Sequence, residues 1–267
     1  MNYAALGYGD VALAGLLVAM NAVLSMALGL KLEKKLAIAA VRIVVQLGLV
    51  ALVLKALFQA ASPWFTALAA LVMILFAGRE AMARQSRRFA GPWGYGLGTA
   101  SIMAGGLIVT VFALTATMKP MPWYDPRYAL PILGMILGNT LTGVSLGLER
   151  LIGGAVRDRV AIEAQLALGR DFRAAIGGNV REALNAGMIP TINAMSAAGI
   201  VSLPGMMTGQ ILAGVDPIEA VKYQIAIMFL ISGGAGLGLL AAVLAGARRL
   251  TDSRHRLRLD RLTAPDR

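Results

Sequence analysis

Two polar side chains that could bind a charged solute lie four residues apart in a long apolar segment near the start of the sequence. Arg42 and Gln46 fall on one face of a helix, because residues four apart are neighbours on a helix surface. A charge inside a membrane is costly unless it faces protein or water, so Arg42 could line a cavity and hold an anionic chelate or a sugar phosphate. Alternatively, its long side chain could reach the cytoplasmic headgroups. The sequence leaves both interpretations open.

Neutral polar groups and two thioethers occur in later apolar segments. Pro204 removes a backbone donor and frees carbonyl groups one turn earlier, and a helix broken at membrane depth is a common transport site. A packed proline kink is the alternative, and Asn139 could equally form an interhelical hydrogen bond. The thioethers of Met206 and Met207 suit a soft cuprous ion better than ferrous iron, although methionine also simply fills space. The predicted translocation pathway comprises Arg42, Gln46, Asn139, Asn185, Asn193, Ser196, Pro204, Met206 and Met207.

Several kinds of chemistry are missing from the sequence. The chain has no cysteine, so thiolate metal sites are excluded, and its one histidine, His255, lies near the C-terminus. No Asp or Glu lies in the middle of an apolar segment, which disfavours a tight ferrous site and an ion-coupled secondary transporter. No Ser/His or His/Asp/Glu cluster indicates an enzyme, and no phosphate-loop motif could bind ATP. We therefore predict no catalytic residue and no cofactor in this chain.

The segments that carry these residues are apolar enough to cross a membrane. The chain has 267 residues, is 58% hydrophobic and has a mean hydropathy of +0.71, which is more apolar than a soluble domain. We predict an all-α, polytopic membrane protein with one domain over residues 1–267. A nucleic-acid partner is not expected, because a basic nucleic-acid-binding protein would not carry several segments of lipid length. Seven windows reach the roughly 20 residues that a span needs: 9–30, 36–58, 63–83, 94–117, 128–148, 184–213 and 218–246.

Basic residues mark one side of these spans. Most of the 25 Lys and Arg residues lie in the first, third and fifth connections and in a tail over 247–267. The positive-inside rule places these regions in the cytoplasm, with the N-terminus outside and the C-terminus inside the inner (plasma) membrane. Ser62 before Pro63 and Asp216 before Pro217 are typical helix starts. Pairs of small residues that permit close helix packing are Gly94/Gly98, Gly134/Gly138, Gly143/Gly147, Gly205/Gly209 and Gly234/Gly238.

The longest polar connection, about 149–182, contains a short amphipathic segment, AIEAQLALGRDFRAA. The stretch from Glu163 to Leu168 is about two turns of good helix formers. Gly169 suits the left-handed residue that ends a helix, and Asp171 can cap a second helix that begins near Phe172. An interfacial helix that lies in the headgroups is one interpretation of this pattern.

The same segment resembles the "EAA…G" coupling loop of ABC transporter permeases, through Glu163-Ala164 and Leu168-Gly169. In that family the loop forms a helix that docks on the ATP-hydrolysing subunit. The match departs from the importer form, since Gln165 replaces the second alanine and the downstream Pro190 comes later. The resemblance implies that the ATPase-coupling residues are Glu163, Ala164, Leu168, Gly169, Asp171 and Phe172.

Three longer segments resemble the Fet-type iron export permease family, to which plant aluminium-tolerance permeases also belong. They cover 41–58, 130–151 and 183–225, and the last contains the unusual run VSLPGMMTGQILAG. The resemblance implies a permease that forms a homodimer, binds two copies of a separate ABC ATPase, and exports iron or another metal. ATP and Mg would be bound by that ATPase. The alternative cargo that the resemblance implies is a nucleotide sugar or another anionic solute.

Overall fold

The chain is mostly helical in a computed structural model, which describes residues 7–60 and 62–263. These residues form no β-strand, only isolated bridges, and they divide into two compact units after Ala60. The first unit contains α1 (Tyr8–Ala27) and α2 (Glu33–Ala60). The second contains α3 (Pro63–Ala83), α4 (Pro92–Phe112) with a π-helical turn at Ala113–Thr117, α5 (Pro126–Arg157), α6 (Arg159–Ala167), α7 (Phe172–Ala197), α8 (Gly205–Leu212), α9 (Pro217–Arg249) and a 3-10 turn at Leu259–Arg261.

A buried serine joins the two helices of the first unit. The Oγ of Ser25 donates to Glu33 Oε2 at 3.0 Å and accepts from the backbone N–H of Leu32 at 2.9 Å. These bonds satisfy polar groups at the start of α2 that the helix itself leaves without a partner. They hold the end of α1 against the start of α2.

In the second unit, α5 is the central helix and packs against α3, α4, α7 and α9. Its buried side chains include Leu133, Leu148 and Leu151, which join Leu239 and Val243 of α9 in the main apolar core. Interiors of this kind are close-packed, so each helix is fixed in rotation as well as in position.

Glycines bring the helices of the second unit into close contact. A Cβ added to Gly105 of α4 would lie only 2.5 Å from the carbonyl oxygen of Gly234 in α9. Likewise, a Cβ on Gly187 of α7 would lie 2.7 Å from the carbonyl oxygen of Gly143 in α5. The predicted small-residue pairs of α5 and α9 therefore permit backbone-to-backbone packing. In contrast, Gly138, Gly205 and Gly209 face open space.

The predicted helix starts are largely confirmed. Ser62 and Asp216 are N-cap residues, and Pro63 and Pro217 open the helices that follow. The Asp216 carboxylate accepts a hydrogen bond from the N–H of Ile218 at 2.9 Å. Ser62 makes no capping bond with its side chain, so its contribution comes from its extended backbone.

The sixth predicted span, 184–213, in which Pro190 and Pro204 indicated a kink or a break, is broken. Among the described residues, six helices are long and apolar enough to cross a membrane: α1, α2, α3, α4 with its π turn, α5 and α9. The window 184–213 instead contains the end of α7, an irregular loop at 198–204, and the short α8. Pro190 lies inside α7 without ending it, and the chain resumes its helix after Pro204. The described residues thus form an all-α, multi-pass membrane protein.

Candidate transport cavities and coupling helix

A cavity of about 270 Å³ lies beside the break between α7 and α8. It brings together three residues that the sequence placed in the translocation pathway: Asn139, Pro204 and Met206. The wall is completed by residues of α5, α7, α8 and α9, namely Met135, Thr191, Ala194, Gly205, Gln224, Ile227, Met228 and Ile231.

Two amide side chains supply the main polar groups of this cavity. Asn139 donates from Nδ2 to the carbonyl oxygen of Met135 at 2.9 Å, within its own helix. Gln224 is 8% exposed, and its Oε1 has no hydrogen-bond partner among the described residues. Gln224 was not among the predicted residues, although a glutamine two turns into an apolar helix is a signal that could have identified it.

The remaining predicted pathway residues lie elsewhere. Met207 is buried but does not line this cavity, while Asn193 and Ser196 are exposed on α7. Arg42 and Gln46 are exposed on α2, in the first unit.

A second cavity, of about 680 Å³, lies between the second half of α5 and the middle of α7, and Asn185 lines it. Its wall carries ion pairs rather than free charges. Arg150 pairs with Glu182, and Arg157 contacts the same Glu182 at 3.4 Å. Glu149 also lies on this wall, so two carboxylates balance the two arginines and the cavity offers no excess of positive charge to an anion.

The junction between α5 and α6 is tied to α7 by hydrogen bonds. Asp158, the residue between α5 and α6, accepts from Arg157 at 2.8 Å and from Nδ2 of Asn179 at 2.8 Å. These hydrogen bonds lower the pKa of Asp158 to about 2, and the bond from Arg157 has the largest effect. The carboxylate therefore stays ionised at neutral pH. The start of α6 is thereby held against α7 by a charged hydrogen-bond network.

The short helix predicted at Glu163–Leu168 exists, and it is longer than predicted. α6 begins at Arg159, four residues before Glu163, and the Arg159 guanidinium pairs with the Glu163 carboxylate at 2.8 Å. On one face of α6, Ile162 is 1% exposed and Leu166 packs against the core. The opposite face is an exposed apolar surface, which we name the outer stripe of α6: Val160, Ala164, Ala167 and Leu168.

The predicted end of this short helix is confirmed in its backbone. Gly169 has φ = +85°, a left-handed conformation that strains any residue with a side chain. The Asp171 carboxylate accepts from the N–H of Ala174 at 2.6 Å, so it caps α7 as expected. Phe172 is 3% exposed and belongs to the core, where it anchors the first turn of α7.

The described residues beyond α9, up to Thr263, are folded, which the sequence did not indicate. The backbone N–H of Ala90 donates to the carbonyl oxygen of Arg261 at 2.8 Å, which ties the connection between α3 and α4 to the tail. Within the tail, the backbone N–H and side chain of Arg256 bind Asp252 and hold the pKa of that carboxyl far below its usual range. Leu262 packs against the main core.

The sequence pattern of one protein family runs through nearly the whole chain. The pattern described as "Uncharacterised protein family (UPF0014)" matches residues 8–251. The chain belongs to the UPF0014 family. The matched region of this UPF0014 protein includes both cavities, α6 and the six candidate spans of the described residues. No solved structure matches it.

Relatives of this UPF0014 protein occur in bacteria and plants. It is 39% identical to the UPF0014 membrane protein slr1647 of Synechocystis over 206 residues, 76% of this chain and 78% of that one. It is 31% identical to the "Probable iron export permease protein FetB" of Escherichia coli over 251 residues, 93% of each chain. It is 32% identical to the UPF0014 membrane protein STAR2 of rice over 243 residues, 88% of this chain and 83% of that one. The predicted membership in the family of the iron export permeases is therefore confirmed.

Proposed function

We propose that this protein is the membrane-spanning subunit of an ATP-driven exporter, and that α6 docks on a separate ATPase subunit. The observation that carries the proposal is the outer stripe of α6. It is an unusual surface because one face of a nine-residue helix packs on the core while the other exposes apolar side chains, with Leu168 85% exposed. An exposed apolar helix face of this kind fits a groove on a partner protein.

The attachments of α6 suit it to transmit force. Asp158 ties the start of α6 to Asn179 of α7, and Gly169 and Asp171 form a short, capped connection from the end of α6 to the start of α7. Movement of α6 would therefore pass directly to α7, which contributes Thr191 to the cavity wall. This arrangement supports roles for Glu163 at the edge of the docking surface and for Phe172 as the anchor within the membrane domain.

The expected assembly is a homodimer with two ATPase subunits. Each chain offers one coupling helix, and the sequence has no phosphate loop of its own, so ATP and Mg would be bound by the partner. Two chains would provide two docking sites, one for each ATPase. The lipid bilayer surrounds the apolar surface of the spans, in the inner or plasma membrane.

The proposed cargo is a metal ion, and iron is the first to test because a relative is named for iron export. The described wall of the cavity beside α8 carries amides, thioethers and a hydroxyl but no charged side chain. This composition fits a cation bound by neutral donors better than a nucleotide sugar, whose phosphates would require positive charge. We place Asn139, Pro204 and Met206 on the pathway of that ion.

Transport in inside-out vesicles tests the proposal. Vesicles that contain this chain and its co-purifying ATPase should accumulate labelled ferrous iron or another metal only when ATP is present. Vesicles with an ATPase variant that cannot hydrolyse ATP serve as the control. Accumulation driven by a proton gradient without ATPase would instead identify an ion-coupled secondary transporter.

The proposed orientation counts α7 together with α8 as a seventh, broken span besides the six long apolar helices, and it predicts a labelling pattern for two single cysteines. The chain has no cysteine, so Met121→Cys and Arg254→Cys each create one reactive site. Met121 is 97% exposed in the connection between α4 and α5, and Arg254 is exposed in the tail. In intact cells an impermeant thiol reagent should label Met121→Cys, and it should label Arg254→Cys only after the membrane is opened. Labelling of Arg254→Cys in intact cells would contradict the orientation.

A further inference from the structure

The cavity beside α8 has an unusual concentration of sulfur. Three of its lining residues are methionines, and each comes from a different helix: Met135 from α5, Met206 from α8 and Met228 from α9. All three are partly buried, and they surround a space of about 270 Å³ rather than filling it. Methionines that only fill a core leave no such space next to polar groups.

The same wall includes Gln224, whose side chain is a candidate oxygen donor. Gln224 Oε1 is buried without a hydrogen-bond partner among the described residues, and a buried acceptor without a partner is costly. Because Gln224 lies four residues before Met228 in α9, the amide and the thioether share one face of that helix. Rotation of the Gln224 amide towards a cation in the cavity would satisfy this oxygen, whereas an anion would be repelled by it.

The neutral lining of this cavity favours some cations over others. Every donor on it is neutral, and the described residues contain no group of three His, Cys, Asp or Glu side chains that could hold a metal ion. The cost of burying an ion rises with the square of its charge, so a divalent ion loses about four times the hydration free energy of a monovalent ion of equal radius. Neutral thioethers and an amide compensate this loss for a weakly hydrated monovalent ion far better than for ferrous iron.

We propose that this cavity is a binding site for a soft monovalent metal ion, cuprous copper, with the thioethers of Met135, Met206 and Met228 and the amide oxygen of Gln224 as donors. Thioethers are soft ligands that select this ion among the biological metals. The cavity lies near the middle of α5, where Asn139 is found, so a bound ion would be within the membrane domain. This inference deepens the proposed function. The binding of the ion does not depend on that function, but the role of the bound ion as cargo rests on it.

Binding to the purified permease without any ATPase tests the site. Under anaerobic conditions, the full chain in detergent should withdraw one equivalent of cuprous copper from a chromogenic chelator, and silver ion should compete for the same site. X-ray absorption of the bound copper should show sulfur neighbours. Met206→Leu keeps the volume of the side chain, so the protein should still fold. It should weaken binding by about tenfold or more, since even the outer partners of metal ligands typically contribute that much.

Met207→Leu is the matched control, because Met207 is adjacent in sequence and does not line the cavity. It should bind copper as the unchanged protein does, and gel filtration should give the same monodisperse peak for both variants. The site is overturned if the unchanged protein binds no copper, or if the triple variant Met135→Leu, Met206→Leu, Met228→Leu binds it equally well. Either result leaves the proposed exporter intact, because docking of the ATPase and ATP-dependent transport are measured separately.

Discussion

Replacing Gly105 by valine should remove almost all folded protein from the membrane. A Cβ at this position would lie 2.5 Å from Gly234 O, 2.8 Å from Gly238 N and 3.0 Å from Gly238 Cα. All three are backbone atoms of α9, so no side chain can rotate to make room. Helices α4 and α9 would have to separate, and we expect the free energy of unfolding to fall by about 3 kcal/mol or more, at the upper end of overpacking effects.

The amount of monodisperse protein in detergent, followed by fluorescence-detected gel filtration, measures this loss. Gly96→Val is the matched control, since Gly96 belongs to the same helix and has no heavy atom within 4 Å of an added Cβ. The control should express and elute like the unchanged protein. A Gly105→Val variant that elutes as a single peak and melts at the same temperature as the control would contradict the close packing of α4 on α9.

Replacing Leu168 by aspartate should abolish the capture of the ATPase without unfolding the membrane domain. Leu168 is 85% exposed, so the free chain loses little by the change. In a docked complex the same position would bury an unpaired charge in an apolar groove, and such a change at the centre of an interface typically costs more than about 2 kcal/mol. Co-purification of the ATPase with the tagged permease should fall by at least about tenfold.

Ala174→Asp is the control for this experiment. It adds the same charge at an exposed position in the first turn of α7, outside the outer stripe of α6. An acid is favourable in the first turn of a helix, so the control should fold and bind the ATPase normally. Undiminished capture and full transport by Leu168→Asp would mean that α6 only lies along the membrane surface, and that the ATPase docks elsewhere.

The sequence alone determined the features that depend on residues close together along the chain. Spans follow from runs of about 20 apolar residues, because each residue contributes its own transfer free energy to the membrane. The end of α6 at Gly169 and the start of α7 at Asp171 follow from hydrogen bonds and backbone conformations within a few residues. For the same reason, the spacing of Ala164 and Leu168 on one exposed face could be predicted before their surroundings were known.

The interruption of the sixth window required the tertiary structure. The sequence identified Pro190 and Pro204 as possible breaks, yet α7 continues through Pro190 and ends at Ala197, before Pro204. A proline costs one hydrogen bond and a steric clash wherever it occurs in a helix. Whether the helix tolerates that cost depends on the contacts that the flanking turns make with other helices, and those contacts join residues far apart in the sequence.

Which residues line the cavity was also decided only by packing. Met206 and Met207 are neighbours in α8, about 100° apart around the helix, and only Met206 reaches the cavity wall. The rotation of a short helix is set by what it packs against, here α9, and the sequence of the helix does not contain that information. Gln224 and Met228 became candidate ligands for the same reason, since their importance depends on α5, α7 and α8 leaving a space in front of them.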